Sequence, residues 1–122
     1  MKGRILVVDD SGLARRRARG ILEGAGYEVI EAEDGMSALE HYVVSKPDLV
    51  LLDLVMKGMY GLDVLTKLRQ IDGAARVIVV SADVQTSSHD MVADAGAAGF
   101  LTKPIAADEV LTLVGSTLAG TA

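Results

Sequence analysis

Four polar signals in this chain each stand at the end of an apolar run. Asp9-Asp10 follows Ile5-Leu6-Val7-Val8. Asp53 follows Leu49-Val50-Leu51-Leu52. Ser81 follows Val77-Ile78-Val79-Val80, and Thr102-Lys103-Pro104 follows Phe100-Leu101. Taken singly, each has an ordinary explanation. An Asp after a strand is most often a helix N-cap or turn former, and a Lys is most often a solvated charge. Taken together they form a chemical set. Carboxylates gathered at one place repel each other unless a cation joins them. A hard divalent ion such as Mg2+ suits oxygen ligands, takes one or two protein carboxylates, keeps water and completes its shell with phosphate oxygens. Lys103 adds a second positive charge, and Ser81 adds a hydroxyl donor. A carboxylate can act as a covalent nucleophile and form an aspartyl-phosphate. Phosphoryl transfer asks chiefly for positioning and charge neutralisation, and this set offers both.

The set works only if the chain brings its members to one place, and the order of elements predicts that it does. Strands are expected at Arg4–Val8, Glu28–Ala32, Leu49–Leu52, Val77–Val80 and Gly99–Thr102. Helices are expected over about 12–25, 34–44, 61–70, 87–95 and 108–118, from apolar residues at helical spacing. Gly24 and Gly26 punctuate the first helix, Lys46-Pro47 closes the second, and Ser87 and Asp90 have roughly capping-box spacing. Five βα units with continuously apolar strands predict an α/β fold, a doubly wound parallel sheet with helices on both faces. Five strands suit the flavodoxin-like order 2-1-3-4-5. In that order strands 1 and 3 are neighbours at the switch point, and all carboxyl ends share one edge, where ligands of such sheets bind.

Composition narrows the classes. The 122 residues suit one domain over 1–122, and the absence of a repeat or linker predicts no attached output domain. A net charge of −5 argues against non-specific nucleic-acid binding, which needs a basic footprint. The absence of cysteine removes disulfides, thiolate metal sites and cysteine nucleophiles. No apolar run has the length of a signal peptide core or a membrane span, so a cytoplasmic location is expected.

With these residues in place, the chain resembles the receiver domain of two-component response regulators over essentially its full length. The resemblance rests on Ile5-Leu6-Val7-Val8-Asp9-Asp10-Ser11, on Asp48 through Met56, on Val79-Val80-Ser81-Ala82, and on Ala95-Gly96-Ala97 through Phe100-Leu101-Thr102-Lys103-Pro104. It implies that Asp53 is the phospho-acceptor. Asp9, Asp10 and Asp53 would hold Mg2+ together with the backbone carbonyl of Val55. Ser81, Ala82 and Lys103 would bind the phosphoryl group, and Ser81 and Phe100 would form the switch. Val55 and Asp83, each two positions beyond a site residue, would tune hydrolysis. The bond before Pro104 is often cis in this family, which X-Pro permits. The implied partners are a sensor histidine kinase or histidine phosphotransfer domain, a phosphatase and a downstream protein target, with chemotaxis as the favoured pathway. The domain would be a switch, catalysing only its own phosphorylation and dephosphorylation.

Two residues depart from the family pattern. Lys57 stands in place of the usual Pro, and Tyr60 in place of the usual Asp or Asn before Gly61. The loop thereby loses a φ constraint and gains a charge. Arg15, Arg16, Arg17 and Arg19 make the first helix basic, either as a solvated face or as a kinase-docking surface. His41 and His89 lack metal-ligand spacing. Two other uses of the same chemistry meet obstacles. A phosphatase of haloacid-dehalogenase type wants an acid two residues after its nucleophile, where this chain has Val55. A flavodoxin-like electron carrier wants a phosphate loop after the first strand, where Asp9-Asp10 would repel the phosphate.

Overall fold

The computed structural model describes residues 3–56, 59–82 and 86–120. The strands are β1 (Arg4–Val8), β2 (Glu28–Ala32), β3 (Leu49–Asp53), β4 (Val77–Ser81) and β5 (Gly99–Thr102). The helices are α1 (Gly12–Gly24), α2 (Gly35–Ser45), α3 (Gly61–Ile71), α4 (Thr86–Asp94) and α5 (Ala107–Leu118). All strand pairs of the sheet are parallel, in the order β2-β1-β3-β4-β5. The expected fold and strand order are therefore observed.

Side-chain alternation along the strands divides the core in two. Leu6, Val8, Val50, Leu52, Val77 and Val79 face α2, α3 and α4, which contribute Ala38, Tyr42, Val64, Leu65, Leu68 and Val92. Ile5, Val7, Leu49, Leu51, Ile78 and Val80 face α1 and α5, which contribute Ala18, Leu22, Val110 and Val114. Each large aliphatic residue so buried stabilises the fold by about 1.5–3 kcal/mol before entropy is counted. The two layers hold the sheet rigid, and the rim above it can then carry polar groups.

Local signals set the helix ends. The Ser11 hydroxyl accepts from the Ala14 N–H at 3.2 Å and caps α1. Asp34 is the cap of α2 rather than its first residue, accepting from the Ser37 N–H at 2.8 Å. α4 begins at Thr86, one residue before the expected start. One element was not foreseen. Val55–Met56 and Met59–Tyr60 form a two-residue antiparallel ladder, with Val55 opposite Tyr60. Segments this short carry no readable alternation.

Candidate functional site

The site follows from strand register. Val8 lies beside Leu52, Asp53 beside Val80, and Ser81 beside Thr102. The residues leaving β1, β3, β4 and β5 therefore meet on one rim. Asp9, Asp53 and Ser81 are buried there, and Asp10 is exposed. One ligand oxygen from each of Asp9, Asp10 and Asp53 lies within 4.8 Å of the others. Lys103 reaches in from beyond β5, its Nζ 2.9 Å from Asp9 Oδ2 and 3.4 Å from Asp53 Oδ2. The Lys103 N–H donates to the Ser81 carbonyl at 2.8 Å, which ties the β4 and β5 ends together. The Lys103-Pro104 bond is cis.

The charges at this rim are out of balance. The Asp53 carboxyl is pushed up to about 6, first by burial and then by the charge of Asp9. Lys103 and the Val55 N–H pull it back only in part. Burial opposes the charge on Lys103, but its hydrogen bond to Asp9 and the fields of Asp53 and Asp9 outweigh that, and its pKa is raised. Three carboxylates face one ammonium. The donors are all oxygen and two of the carboxylates are buried, which fits a hard divalent ion such as Mg2+. A cleft of about 430 Å³ opens beside the rim, between α1 and the Pro104-Ile105 segment, with Asp9, Asp53 and Lys103 on its wall.

The remaining residues singled out in the sequence fall into four groups. Val55 adjoins Asp53 with its N–H on the Asp53 carboxylate and its own side chain exposed, and exposed Ala82 follows Ser81. Phe100 is away from the rim, half-buried on β5 against the core layer shared with α3 and α4. Asp83 and Lys57 lie outside the described residues. His41 is half-buried on α2.

The basic first helix is largely tied down. Arg15 and Arg19 both pair with Glu31, Arg19 also pairs with Glu23, and Arg17 donates to the Ile105 carbonyl at 2.8 Å. Sequence reasoning missed two contributors. Arg15 donates to the Asp9 carbonyl at 2.6 Å, and its only sequence signal was a place one turn into the helix after Asp9-Asp10. Gly61 packs α3 against the Asp53-Leu54 turn. A Cβ there would lie 2.5 Å from the Asp53 carbonyl oxygen and 2.7 Å from Leu54 Cα.

Among the described residues, no helix is long and apolar enough to cross a membrane. Residues 5–115 match the family model of the response regulator receiver domain. The chain is 43% identical to the chemotaxis protein CheY of Bacillus subtilis over 119 residues, 97% of this chain and 99% of that protein. It is 38% identical to the CheY of Thermotoga maritima over 112 residues, 91% and 93% of the two chains. A solved complex of CheX, CheY, BeF3 and Mg2+ from Borrelia burgdorferi superposes with a TM-score of 0.89 at 32% identity, over 93% of this chain and 87% of that one. The alternative enzyme and electron-carrier readings find no support in these matches. The chain thus belongs to the response regulator receiver domain family and is a signalling switch of the CheY type.

Proposed function

We propose that the switch is set by a phosphoryl group on Asp53, taken from a phosphohistidine of a sensor kinase or histidine phosphotransfer domain. The observation that carries this reading is a buried carboxylate at the end of the central strand, 3.4 Å from Lys103 and grouped with Asp9 and Asp10. An Asp53 oxygen attacks phosphorus, the N–P bond breaks, and the nitrogen keeps the electron pair. Lys103 neutralises charge on the transferring group and gives up its hold on Asp9 and Asp53 as it does so. Asp9, Asp10, Asp53 and the Val55 carbonyl would hold Mg2+, which would supply electrostatic stabilisation to the phosphoryl oxygens. Ser81 and the backbone at Ala82 receive the phosphoryl group once it is attached.

Hydrolysis resets the switch: water attacks the same phosphorus, the bond from the Asp53 oxygen to phosphorus breaks, and the carboxylate and inorganic phosphate are released. Val55 beside the acceptor excludes water, and Asp83 orients it or meets a phosphatase. The domain catalyses these two reactions on itself alone and otherwise acts by binding. Its output is a changed surface offered to a downstream target in a chemotaxis-type pathway of the cytoplasm. The Borrelia relative solved with BeF3 and Mg2+ is in keeping with this ligand pair.

Incubation with a small phosphodonor tests the reading. Intact mass should rise by one phosphoryl group only when Mg2+ is present, and peptide mapping should place it on Asp53. Asp53→Asn should abolish the gain, and normal labelling of that variant refutes the assignment.

A further inference from the structure

We propose that Arg15 is a positioning residue for the divalent-ion site, fixing the peptide between Asp9 and Asp10 so that their carboxylates converge. This rests on the assignment of Asp9 and Asp10 as metal ligands. The Arg15 guanidinium donates to the Asp9 carbonyl oxygen at 2.6 Å and, through Nε, to Glu31 at 3.0 Å. The side chain is well covered, at 17% exposure against 25% for Glu31. The carbonyl it grips belongs to the peptide that joins the two ligand residues. A peptide is planar, so holding its oxygen fixes the plane about which Asp9 and Asp10 both turn. The preceding peptide is held as well, because the Asp9 N–H donates to the Ala32 carbonyl at 3.1 Å.

The anchor chain runs from the ion site into the sheet. Glu31 sits on β2, next to Ala32, and also binds Arg19 from α1. A guanidinium is suited to this bridge because its planar fork reaches a carbonyl and a carboxylate from one rigid group, which a lysine ammonium cannot do. Groups that hold metal ligands from outside commonly govern affinity by orienting those ligands.

Charge alone gives the opposite expectation, and this makes the test decisive. Arg15 is a cation near the place of a dication, so by Coulomb repulsion its removal should tighten Mg2+ binding. If Arg15 acts by position, its removal should weaken binding. Titration calorimetry with MgCl2 at fixed ionic strength reads the sign, with circular dichroism and melting curves in EDTA reporting on the fold. Arg15→Gln should bind Mg2+ about tenfold more weakly than wild type, the lower end of what such supporting groups give. Arg15→Lys should not restore the affinity. Unchanged or tighter binding in Arg15→Gln overturns the proposal, whatever the change in melting temperature. Should Arg15→Gln not fold, Arg15→Lys decides: it keeps the charge but not the fork, so weaker binding is expected and unchanged binding refutes the proposal. Wild-type protein that binds no Mg2+, or binds it as Asp10→Asn does, would instead refute the metal-ligand assignment itself.

Discussion

The carboxylate of Asp53 carries a cost that a proton or a cation relieves. Burial comes first, the charge of Asp9 second, and together they hold the pKa at about 6. A carboxyl whose pKa is raised on folding contributes stability below its unfolded value, near 3.9, and loses it as pH rises through about 6. Metal-free protein should therefore lose stability across that window. Asp53→Asn removes the charge and nearly keeps the shape. In EDTA at neutral pH it should be more stable than wild type, on the order of 1–2 kcal/mol once solvent near the rim is allowed for. The difference should vanish near pH 4. Thermal melts of both proteins across that range check it, and a variant no more stable at neutral pH refutes the charge argument. Mg2+ needs the ionised carboxylate, so its affinity in wild type should fall below about pH 6, by up to tenfold per unit for one proton. Calorimetric titration at a series of pH values reads that slope. The four residues Asp9, Asp10, Asp53 and Lys103 were legible in the sequence because each interrupts an apolar run. Arg15 was not, because a basic residue on a helix looks the same whether it faces water or a carbonyl.

Elements place these groups by register, and the tightest fit lies where α3 starts. The Gly61 N–H donates to the Leu54 carbonyl at 2.7 Å, directly behind the acceptor. A Cβ at position 61 would meet backbone atoms of residues 53 and 54 well inside van der Waals contact, and backbone cannot swing aside as a side chain can. Gly61→Ala should cost about 1–3 kcal/mol, as overpacking does. It should also slow phosphorylation of Asp53 by a small donor, because the acceptor turn must shift to make room. Chemical denaturation and the phosphodonor assay together check this, and a neutral variant would refute the close approach. The five strands and five helices were legible because long apolar runs and helical spacing are strong signals. The pairing of Val55–Met56 with Met59–Tyr60 was not, since two residues on each side show no period. The same pairing bears on the replacement of the usual acid or amide by Tyr60, which here stands opposite Val55. Aromatic and β-branched partners suit such a cross-strand position.

For a change at the rim to reach a partner-binding surface, the proposed route runs through β4 and β5. Ser81 ends β4 on the rim, buried at 2% exposure, while Phe100 sits on β5 opposite Val79. Its ring packs on the core layer that includes Val92 of α4. A phosphoryl group on Asp53 brings nearly two negative charges and three strong acceptor oxygens. Drawing Ser81 toward one of them would shift the end of β4, and in the proposed switch that shift would make room for Phe100. Phe100 is half-buried. A phenyl ring has no hydroxyl to anchor it in either position, and phosphorylation should shift an existing equilibrium rather than create a new state. The surface expected to change is that of α4, β5 and α5. Amide NMR spectra with and without beryllofluoride and Mg2+, in wild type and Ser81→Ala, measure the coupling. The variant should still bind the phosphoryl mimic at Asp53, seen as shifts around residues 9, 10 and 53. It should lose most of the shifts in α4 and β5, because the hydroxyl that links the rim to Phe100 is gone. Equally large α4 and β5 shifts in both proteins would show that the signal crosses by another route.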